Sequence, residues 1–301
     1  MAISRAQLVK ELEPGLNALF GLEYKQYGEQ WSEIFDTESS DRAFEEEVML
    51  AGFANANVKP EGQGVTFDDA QETFTARYTN ETIALAFAIT EEAIEDNLYD
   101  RLASRYTKAL ARSMANTKQV KAAAVLNNGF NASFAGGDGV ALFATNHPTI
   151  AGTFSNELAV ASDLNETSLE QALIDIAAMT DERGLKIAAR GMKLVIPSAL
   201  QFTADRLMKS EGRTGTADND INAVKNMGMI PEGYTVNHFL TSNKKWFIKT
   251  DVPNGLKHFV RSPIKTSMEG DFDTGNVRYK ARERYVFGFS DPRGVFGSDA
   301  V

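Results

Sequence analysis

The chain of 301 residues has a hydrophobic fraction of 43% and a formal net charge of −10. It can therefore fold around a sizeable core, and its acidic balance argues against tight binding to a phosphate backbone over a broad surface. It has no cysteine, which excludes disulfide frameworks, thiol nucleophiles and thiolate metal sites. Residues 1–12 lack the apolar core of a signal peptide, and the longest apolar run, residues 83–89, is far shorter than the ~20 residues of a membrane span. We expect neither a secretion signal nor membrane contact.

The first 47 residues predict a short helix and then a polar arm. Ser4 is suited to cap a helix whose leucines recur every three to four residues as far as Leu19, and Pro14 is expected to interrupt it. Residues 24–47 are strongly polar with little periodicity, which favours a loosely packed arm. Aromatic side chains on a polar arm also suit a segment that lies across a neighbouring subunit. They are Tyr24, Tyr27, Trp31 and Phe35.

Two extended segments, residues 48–53 and 73–82, predict a long β-hairpin. The loop between them contains the sequence KPEG at 59–62, a strong turn signal. Phe74 and Tyr78 alternate with polar residues in the second segment, but the hairpin as a whole is only thinly apolar. Because such a hairpin is marginal alone, we expect it to lie against another element.

Residues 90–129 predict a very long helix. Thr90 is a sound N-cap, and the two glutamates after it suit the positive end of the helix dipole. Apolar residues then step by four until Asn127-Asn128-Gly129 ends the pattern. Roughly 35 residues at about 1.5 Å each would give a helix of about 50 Å. The stepping residues are Ile94, Leu98, Leu102, Tyr106, Leu110 and Met114.

The rest of the middle region mixes helices and short strands. Thr167 and Glu170 have the spacing of a capping box, for a helix that Gly184 is expected to end. Farther on we predict a strand at 192–196, a helix at 199–209, a polar loop at 211–219, and strands at 245–249 and 256–260. Helices and strands are segregated rather than alternating, which predicts the α+β class.

Residues 277–289 alternate without a break and predict a closing strand of roughly 40 Å. One face is apolar apart from Glu283, and the other face forms what we call the basic row, Arg278, Lys280, Arg282 and Arg284. We expect this strand to form a long edge of an elongated subunit. The basic row either pairs with acidic residues of the long helix or of a neighbour, or touches packaged nucleic acid. The negative net charge favours pairing.

Motifs that would carry catalysis or metal binding are weak in this sequence. The three histidines are far apart and lack metal-ligand spacing, and His147 has the context of a hydrogen-bonded loop residue. The glycines at 136–139 lack the remainder of a phosphate-binding motif and favour a plain turn. No GxSxG motif is present. We therefore predict no catalytic residue, no cofactor and no metal ligand.

Four segments resemble the tailed-bacteriophage major capsid proteins of the Hong Kong 97-type fold. ITEEAIEDNLYDRLASRYTKALARSM (89–114) is similar to the approach to the family's spine helix and to the helix itself. DGVALFATNHP (138–148) resembles a loop of Mu-like and related head subunits. GMKLVIPSALQFTADRLMKSEGRTG (191–215) is similar to the entry into the axial domain, and ERYVFGFSDPRGVFGS (283–298) to the closing strand. The order of the four segments carries the resemblance.

The resemblance implies the fold and partners of a shell subunit. Its parts would be an N-terminal arm at 1–47, an extended E-loop hairpin at 48–89, a peripheral domain with the spine helix at 90–190 to which 259–301 return, and an axial domain at 191–258. Pentamers and hexamers of the chain would form an icosahedral shell around double-stranded DNA. Implied partners are other copies of the chain, a separate scaffolding protein, a portal protein and a decoration protein, in a virion assembled in the host bacterial cytoplasm.

We expect subunit contacts rather than catalysis from this chain. The interface candidates are Trp31, Phe35, Phe53, Lys59, Phe74, Tyr78, Arg278, Arg282 and Arg284. Two other functions stay open at this point. An encapsulin-like compartment shell would have the same fold with an enzyme cargo, and a hydrolase with an atypical site would need a deep pocket of convergent polar groups.

Overall fold

A four-stranded sheet and two helices form the first half of the fold. The computed structural model describes residues 5–90, 92, 99–212, 220–271 and 275–300. The strands are β1 (Asp36–Ser39), β4 (Glu81–Ile89), β10 (Leu256–Gly270) and β11 (Val277–Phe289), in the spatial order β1-β10-β11-β4. The predicted closing strand has the bounds of β11. It pairs antiparallel with β10 on one side and β4 on the other, so the expectation that it forms an edge of the subunit is wrong.

Helices α1 (Arg5–Gln26) and α2 (Tyr99–Asn127) cover one face of this sheet. Pro14 lies inside α1 without ending it, so the expected interruption is wrong. Leu16 and Phe20 of α1 are buried in one cluster with Met114 of α2 and with the apolar face of β11. The 29 residues of α2 correspond to about 44 Å, which confirms a long helix. Ser4, Glu91, Ile94 and Leu98, on which the predicted starts of the two helices depend, lie outside the described residues.

The hairpin consists of β2 (Phe44–Ala51) and β3 (Gln71–Thr79), with residues 52–70 between them. Its existence is as predicted, but its bounds are not. At Asn80 the chain turns a corner: this residue is buried, its backbone N–H donates to the Ala43 carbonyl, and its side-chain amide donates to Ser40 Oγ at 2.7 Å. Residues 81–89 then pair with β11 as β4. The last part of the segment predicted as hairpin therefore belongs to the main sheet.

A second four-stranded sheet, ordered β12-β9-β7-β8, forms the other half. Its strands are β7 (Gly191–Ile196), β8 (Tyr234–Val236), β9 (Trp246–Thr250) and β12 (Val295–Ser298), and its helices are α3 (Glu166–Ala178), α4 (Gln201–Lys209) and α5 (Ala223–Asn226). A short pair, β5 (His147–Thr149) and β6 (Gly152–Phe154), precedes α3. Residues 213–219 of the predicted polar loop lie outside the described residues. The mixed helices and strands confirm the α+β class.

Two boundaries differ from the sequence predictions for clear physical reasons. The capping box of α3 uses Asn165 and Ser168, because the Asn165 side chain accepts from the Ser168 N–H and the Ser168 hydroxyl accepts from the Asn165 N–H. The helix consequently begins before Thr167. The sequence predicts a strand that ends near residue 260. β10 instead continues to Gly270, because β11 pairs with it. The register between the two strands shifts near Pro263, which cannot donate a ladder hydrogen bond.

Candidate subunit-interface surfaces

The two faces of β11 differ as its sequence predicts. Tyr279, Ala281 and Tyr285 are at most 1% exposed on the face that packs beneath the helices. Arg278 and Arg282 are exposed on the opposite face. This alternation follows from the period of two in a strand, and it places the basic row on a sheet face that α1 and α2 do not cover.

Most of the basic row has no acidic partner among the residues that the structure describes. Arg278 pairs with Asp271. Lys280, Arg282 and Arg284 have no carboxylate within 4.0 Å among the residues that the structure describes. Lys265 of β10 lies directly opposite Arg282 and adds another cation. The described part of the long helix, α2, packs on the other face of the sheet, and pairing of the row with acids of a neighbour stays a prediction.

Glu283, the charged residue on the apolar face of β11, has a partner beneath the helices. It is 2% exposed, and its carboxylate lies 3.7 Å from the Lys118 ammonium of α2. Burial raises the pKa of Glu283, while Lys118 and a hydrogen bond from Tyr24 act to lower it. Glu283 is therefore paired inside the chain, unlike Lys280, Arg282 and Arg284 of the basic row among the described residues.

The hairpin is acidic, in contrast to the basic row, and it has a large exposed apolar surface. Glu45, Glu46 and Glu47 follow one another on β2, and Glu72 is exposed on β3. The apolar side chains that face solvent on the hairpin and its tip are Val48 at 44%, Leu50 at 63%, Phe53 at 60%, Val58 at 93%, Val65 at 62% and Phe67 at 94%. Exposed apolar clusters of this kind mark protein contact surfaces. Of the predicted interface residues, Phe53 and Lys59 lie on this exposed part.

A polar network attaches the base of the hairpin to the main sheet. The Lys257 ammonium of β10 contacts Glu38 and lies 3.0 Å from a Glu47 carboxylate oxygen. Burial alone would lower the pKa of Lys257, but its two carboxylate partners outweigh this and raise it. Ser290 donates to Glu47, so the Tyr78 hydroxyl donates to Ser290. Tyr78, predicted as an interface residue, is 3% exposed and serves this attachment.

Two further contacts hold the hairpin at its strands and at its neck. The side chain of Arg183 donates to the carbonyl oxygens of Gly52 at 3.2 Å and Asp69 at 2.6 Å. Gly137 packs so closely on β3 that a Cβ there would lie 2.6 Å from the Thr75 carbonyl oxygen. The glycines at 136–139 thus form a packed turn against the hairpin. Sequence reasoning missed Arg183, because nothing near it in the sequence marks a contact with residues 52 and 69.

Two aromatic side chains of the segment predicted as a loosely packed arm are packed in the core of the chain. Trp31 and Phe35 are 6% and 3% exposed, and their rings lie 5.6 and 5.0 Å from that of Phe287. His258 stacks on the same ring at 4.3 Å. The weak periodicity of residues 24–47 concealed this, because the segment is a short 3-10 turn and the strand β1 rather than a regular helix. Trp31 and Phe35 leave little free surface for a neighbour.

His147 is buried and hydrogen-bonded, as predicted, but it begins the short strand β5 instead of lying in a loop. Its Nδ1 lies 2.6 Å from an Asp138 carboxylate oxygen and its Nε2 lies 3.1 Å from Asn156 Oδ1. The Asn156 amide nitrogen donates to the Leu142 and Pro292 carbonyls, which fixes its oxygen toward the ring. Nε2 therefore donates to Asn156, while Nδ1 contacts the Asp138 carboxylate. The ring joins residues 138–156 to the closing segment and is fully buried.

The described residues give little chemistry for an enzyme site. They contain no group of three or more carboxylates and histidines able to hold a metal ion. A groove of about 430 Å³ between α2 and β11 is lined mainly by apolar side chains such as Val125, Phe134 and Phe287, and its two charged lining residues, Glu81 and Lys121, pair with each other. Over the same part of the chain, no helix combines the length and hydropathy of a membrane span.

Comparison with known proteins decides the family. The profile of a family described as phage capsid protein matches residues 72–298, more than half of the chain. The chain belongs to this phage capsid protein family. It is therefore a structural protein of a virion, which self-assembles. No curated protein sequence matches this capsid protein.

Solved structures confirm the Hong Kong 97-type fold. The procapsid of bacteriophage JBD30 is similar to this capsid protein with a TM-score of 0.55 and 15% identity, over 98% of this chain and 76% of the phage chain. Mycobacterium phage Che8 gives a TM-score of 0.53 and 14% identity over 89% and 90% of the two chains. A virus-like particle from Pyrococcus furiosus gives 0.55 and 11% over 94% and 98%. At these identities the likeness is one of fold.

Proposed function

We propose that this capsid protein is the major head subunit of a tailed bacteriophage, which assembles as pentamers and hexamers into an icosahedral shell around double-stranded DNA. The family match over residues 72–298, on a chain with the Hong Kong 97-type fold, carries the proposal. Many weak contacts repeated over a closed shell give large collective stability. The shell is the function of the chain, and we propose that it has no enzymatic activity.

Each part of the fold has a proposed place in the shell. The hairpin lies over an adjacent subunit, and its exposed residues, Phe53 and Lys59 among them, make contacts there. The N-terminal arm contacts another subunit through side chains that stay exposed, such as Leu22, and not through Trp31 or Phe35. The first sheet with α1 and α2 forms the peripheral domain, and the second sheet with α3, α4 and α5 forms the axial domain at the capsomer centre. Phe74, half-buried on β3, completes the hairpin contact.

Assembly involves partners other than the chain itself. We propose a separate scaffolding protein, a portal protein, a decoration protein on the mature head, and non-specific contact with packaged DNA, all in the host bacterial cytoplasm. An acidic inner surface keeps packaged DNA from adhering. The compartment-shell alternative is less favoured, because the matching family is one of phage capsids.

Electron microscopy of the purified chain and of native particles tests the proposed function. We expect closed shells of uniform diameter, and native particles whose nucleic acid is double-stranded DNA. A chain that forms only monomers or small oligomers at high concentration, with and without the proteins that co-purify from its host, would contradict a shell. Closed particles that contain enzymes instead of DNA would support the compartment.

A further inference from the structure

We propose that the basic row on β11 receives the acidic β2–β3 hairpin of a second copy of this chain, an inference that rests on the proposed assembly function. The receiving surface is the sheet face that α1 and α2 leave uncovered. The cations of the basic row lie along the centre of this face. Beside them lie the exposed side chains of Ala84, Ala86 and Ala88 of β4. Small residues on a flat face allow the backbone of an incoming hairpin to approach closely.

The charges of the two surfaces are complementary. Seven carboxylates and two cations lie between residues 44 and 79, so the hairpin segment has a formal charge of −5. On the hairpin, the side chains of Glu61, Asp69 and Glu72 are exposed, and their carboxylates have no cation within 4.0 Å among the described residues. Three cations of the basic row also have no acidic partner among the described residues, namely Lys280, Arg282 and Arg284. Opposite charges of this kind fix the register of an interface and suppress wrong partners.

The hairpin of the same chain is held elsewhere. Tyr78 is attached at Ser290, just beyond the far end of β11, and the neck of the hairpin is attached at Arg183. Arg282 precedes Ser290 by eight residues, which corresponds to about 26 Å along an extended strand. No described carboxylate of the chain's own hairpin lies within 4.0 Å of Lys280, Arg282 or Arg284, so the acids proposed to meet the row come from a second copy.

Arg284 gives independent support for an incoming acceptor. Its Nε is buried without a hydrogen-bond partner within the described part of the chain. An unsatisfied donor of this kind is unfavourable, and this side chain is not held in place by a partner. Reorientation toward a carboxylate of the neighbouring hairpin removes the penalty.

A phosphate backbone is the less suitable occupant of this surface. The chain as a whole is acidic, with a net charge of −10, and Glu269 and Asp271 stand at one end of the row, where Asp271 already neutralises Arg278. Long-range repulsion opposes DNA at this face, whereas the short-range charges of one hairpin match it.

Charge exchange between the two surfaces tests the proposal. The double variant Lys280→Glu with Arg282→Glu reverses the row, and Asp69→Lys with Glu72→Lys reverses the hairpin. We expect each pair alone to lower shell yield about tenfold or more, and the four changes together to restore it to within about threefold of wild type. The matched control, Lys186→Glu with Arg190→Glu, changes two exposed cations outside the row and should leave the yield within about twofold.

Yields are measured by sedimentation and microscopy, and thermal unfolding verifies that each variant folds. Normal shells from the row variant overturn the inference while leaving the proposed function intact. Normal shells with a reduced DNA content assign the row to nucleic acid instead. If the row variant lowers the shell yield and the added hairpin reversal does not restore that yield, the inference is also overturned. Failure of the wild-type chain to form shells overturns the proposed function and this inference together.

Discussion

The main sheet and the hairpin use similar strands for opposite purposes. β11 buries Tyr279, Ala281 and Tyr285 beneath helices of its own chain. The hairpin instead leaves Leu50, 63% exposed, facing solvent. A strand that buries its apolar face inside the chain stabilises the fold, whereas one that leaves it exposed has surface to bury against a neighbour. The difference separates residues that matter for folding from residues that matter for assembly.

Truncation of an aromatic side chain should lower the free energy of unfolding strongly in the main sheet and hardly at all in the hairpin. The loss in the main sheet is the largest effect that we expect. Tyr279→Ala removes a ring that is 1% exposed and donates to Asn17, so the free energy of unfolding should fall by about 3–5 kcal/mol. Phe67→Ala removes a ring that is 94% exposed, and should change stability by less than about 0.5 kcal/mol. Denaturant unfolding of the unassembled chains measures both.

Assembly assays complete this contrast. Phe67→Ala should lower shell yield although the chain folds normally, because the exposed ring is proposed to contact the adjacent subunit. Phe67→Leu, which keeps most of the apolar surface, is the control and should assemble better than the alanine variant. If Phe67→Ala formed shells as well as wild type, the hairpin tip would have no assembly role at this position.

The network at the hairpin base should have an intermediate effect. Lys257→Met removes the ammonium that Glu38 and Glu47 share, and should cost about 1.5–3 kcal/mol, the range for hydrogen bonds to charged groups. Because the network joins β2 to the main sheet, hydrogen exchange of β2 amides should accelerate more than that of β11 amides. Equal acceleration in both strands would mean that the hairpin does not detach independently. Lys249→Met, at an exposed pair with Asp36, is the control.

Regular alternation made the main sheet predictable, and the hairpin in part. Residues 277–289 alternate fully, so both the bounds of β11 and its two faces were predictable. Its interior position was not, since the pairing of β10 and β4 with it depends on residues distant in sequence. The corner at Asn80 was missed for the same reason: its partners Ser40 and Arg42 lie in another segment.

The interface residues divide along the same line. The exposure of candidates such as Phe53, Lys59 and Arg282 could be predicted from composition and charge, while their place in an interface stays a prediction. Trp31 and Phe35 could not be assigned to the core, since an aromatic residue in an irregular segment has no period that reveals its burial. The attachment by Arg183 depends on two backbone carbonyls, which carry no signal in the sequence at all.

Acid should weaken the junction between the Trp31 segment and the main sheet. Burial is the main cause that lowers the pKa of His258 to about 3, and the charge of the nearby Lys118 lowers it further. The pKa of a histidine in an unfolded chain is about 6.5. The unfolded chain therefore binds a proton that the folded chain does not, and stability falls as the pH decreases from about 6.5 toward 3. By pH 5 the loss from this group should be about 2 kcal/mol.

Denaturant unfolding at pH 7 and pH 5 measures this loss. His258→Phe keeps an aromatic ring among Trp31, Tyr285 and Phe287 and should remove most of it. His238→Gln, at an exposed histidine, should retain the full pH dependence. An unchanged pH dependence in His258→Phe would assign the acid sensitivity to another group.

The hairpin neck should give the smallest effect and the sharpest separation of folding from assembly. Arg183→Ala removes two side-chain hydrogen bonds to the carbonyls of Gly52 and Asp69. Water can replace them at this exposed position, so global stability should fall by only about 0.5–1.5 kcal/mol. The tip beyond the neck loses its attachment, and limited proteolysis should therefore cleave residues 53–68 several times faster than in wild type, as at other loosely held loop tips. Arg190→Ala, exposed and close in sequence, should leave the cleavage rate unchanged. Equal cleavage of the Arg183→Ala chain and wild type would show that Lys257, Glu47 and Ser290 at the base hold the hairpin without help from the neck.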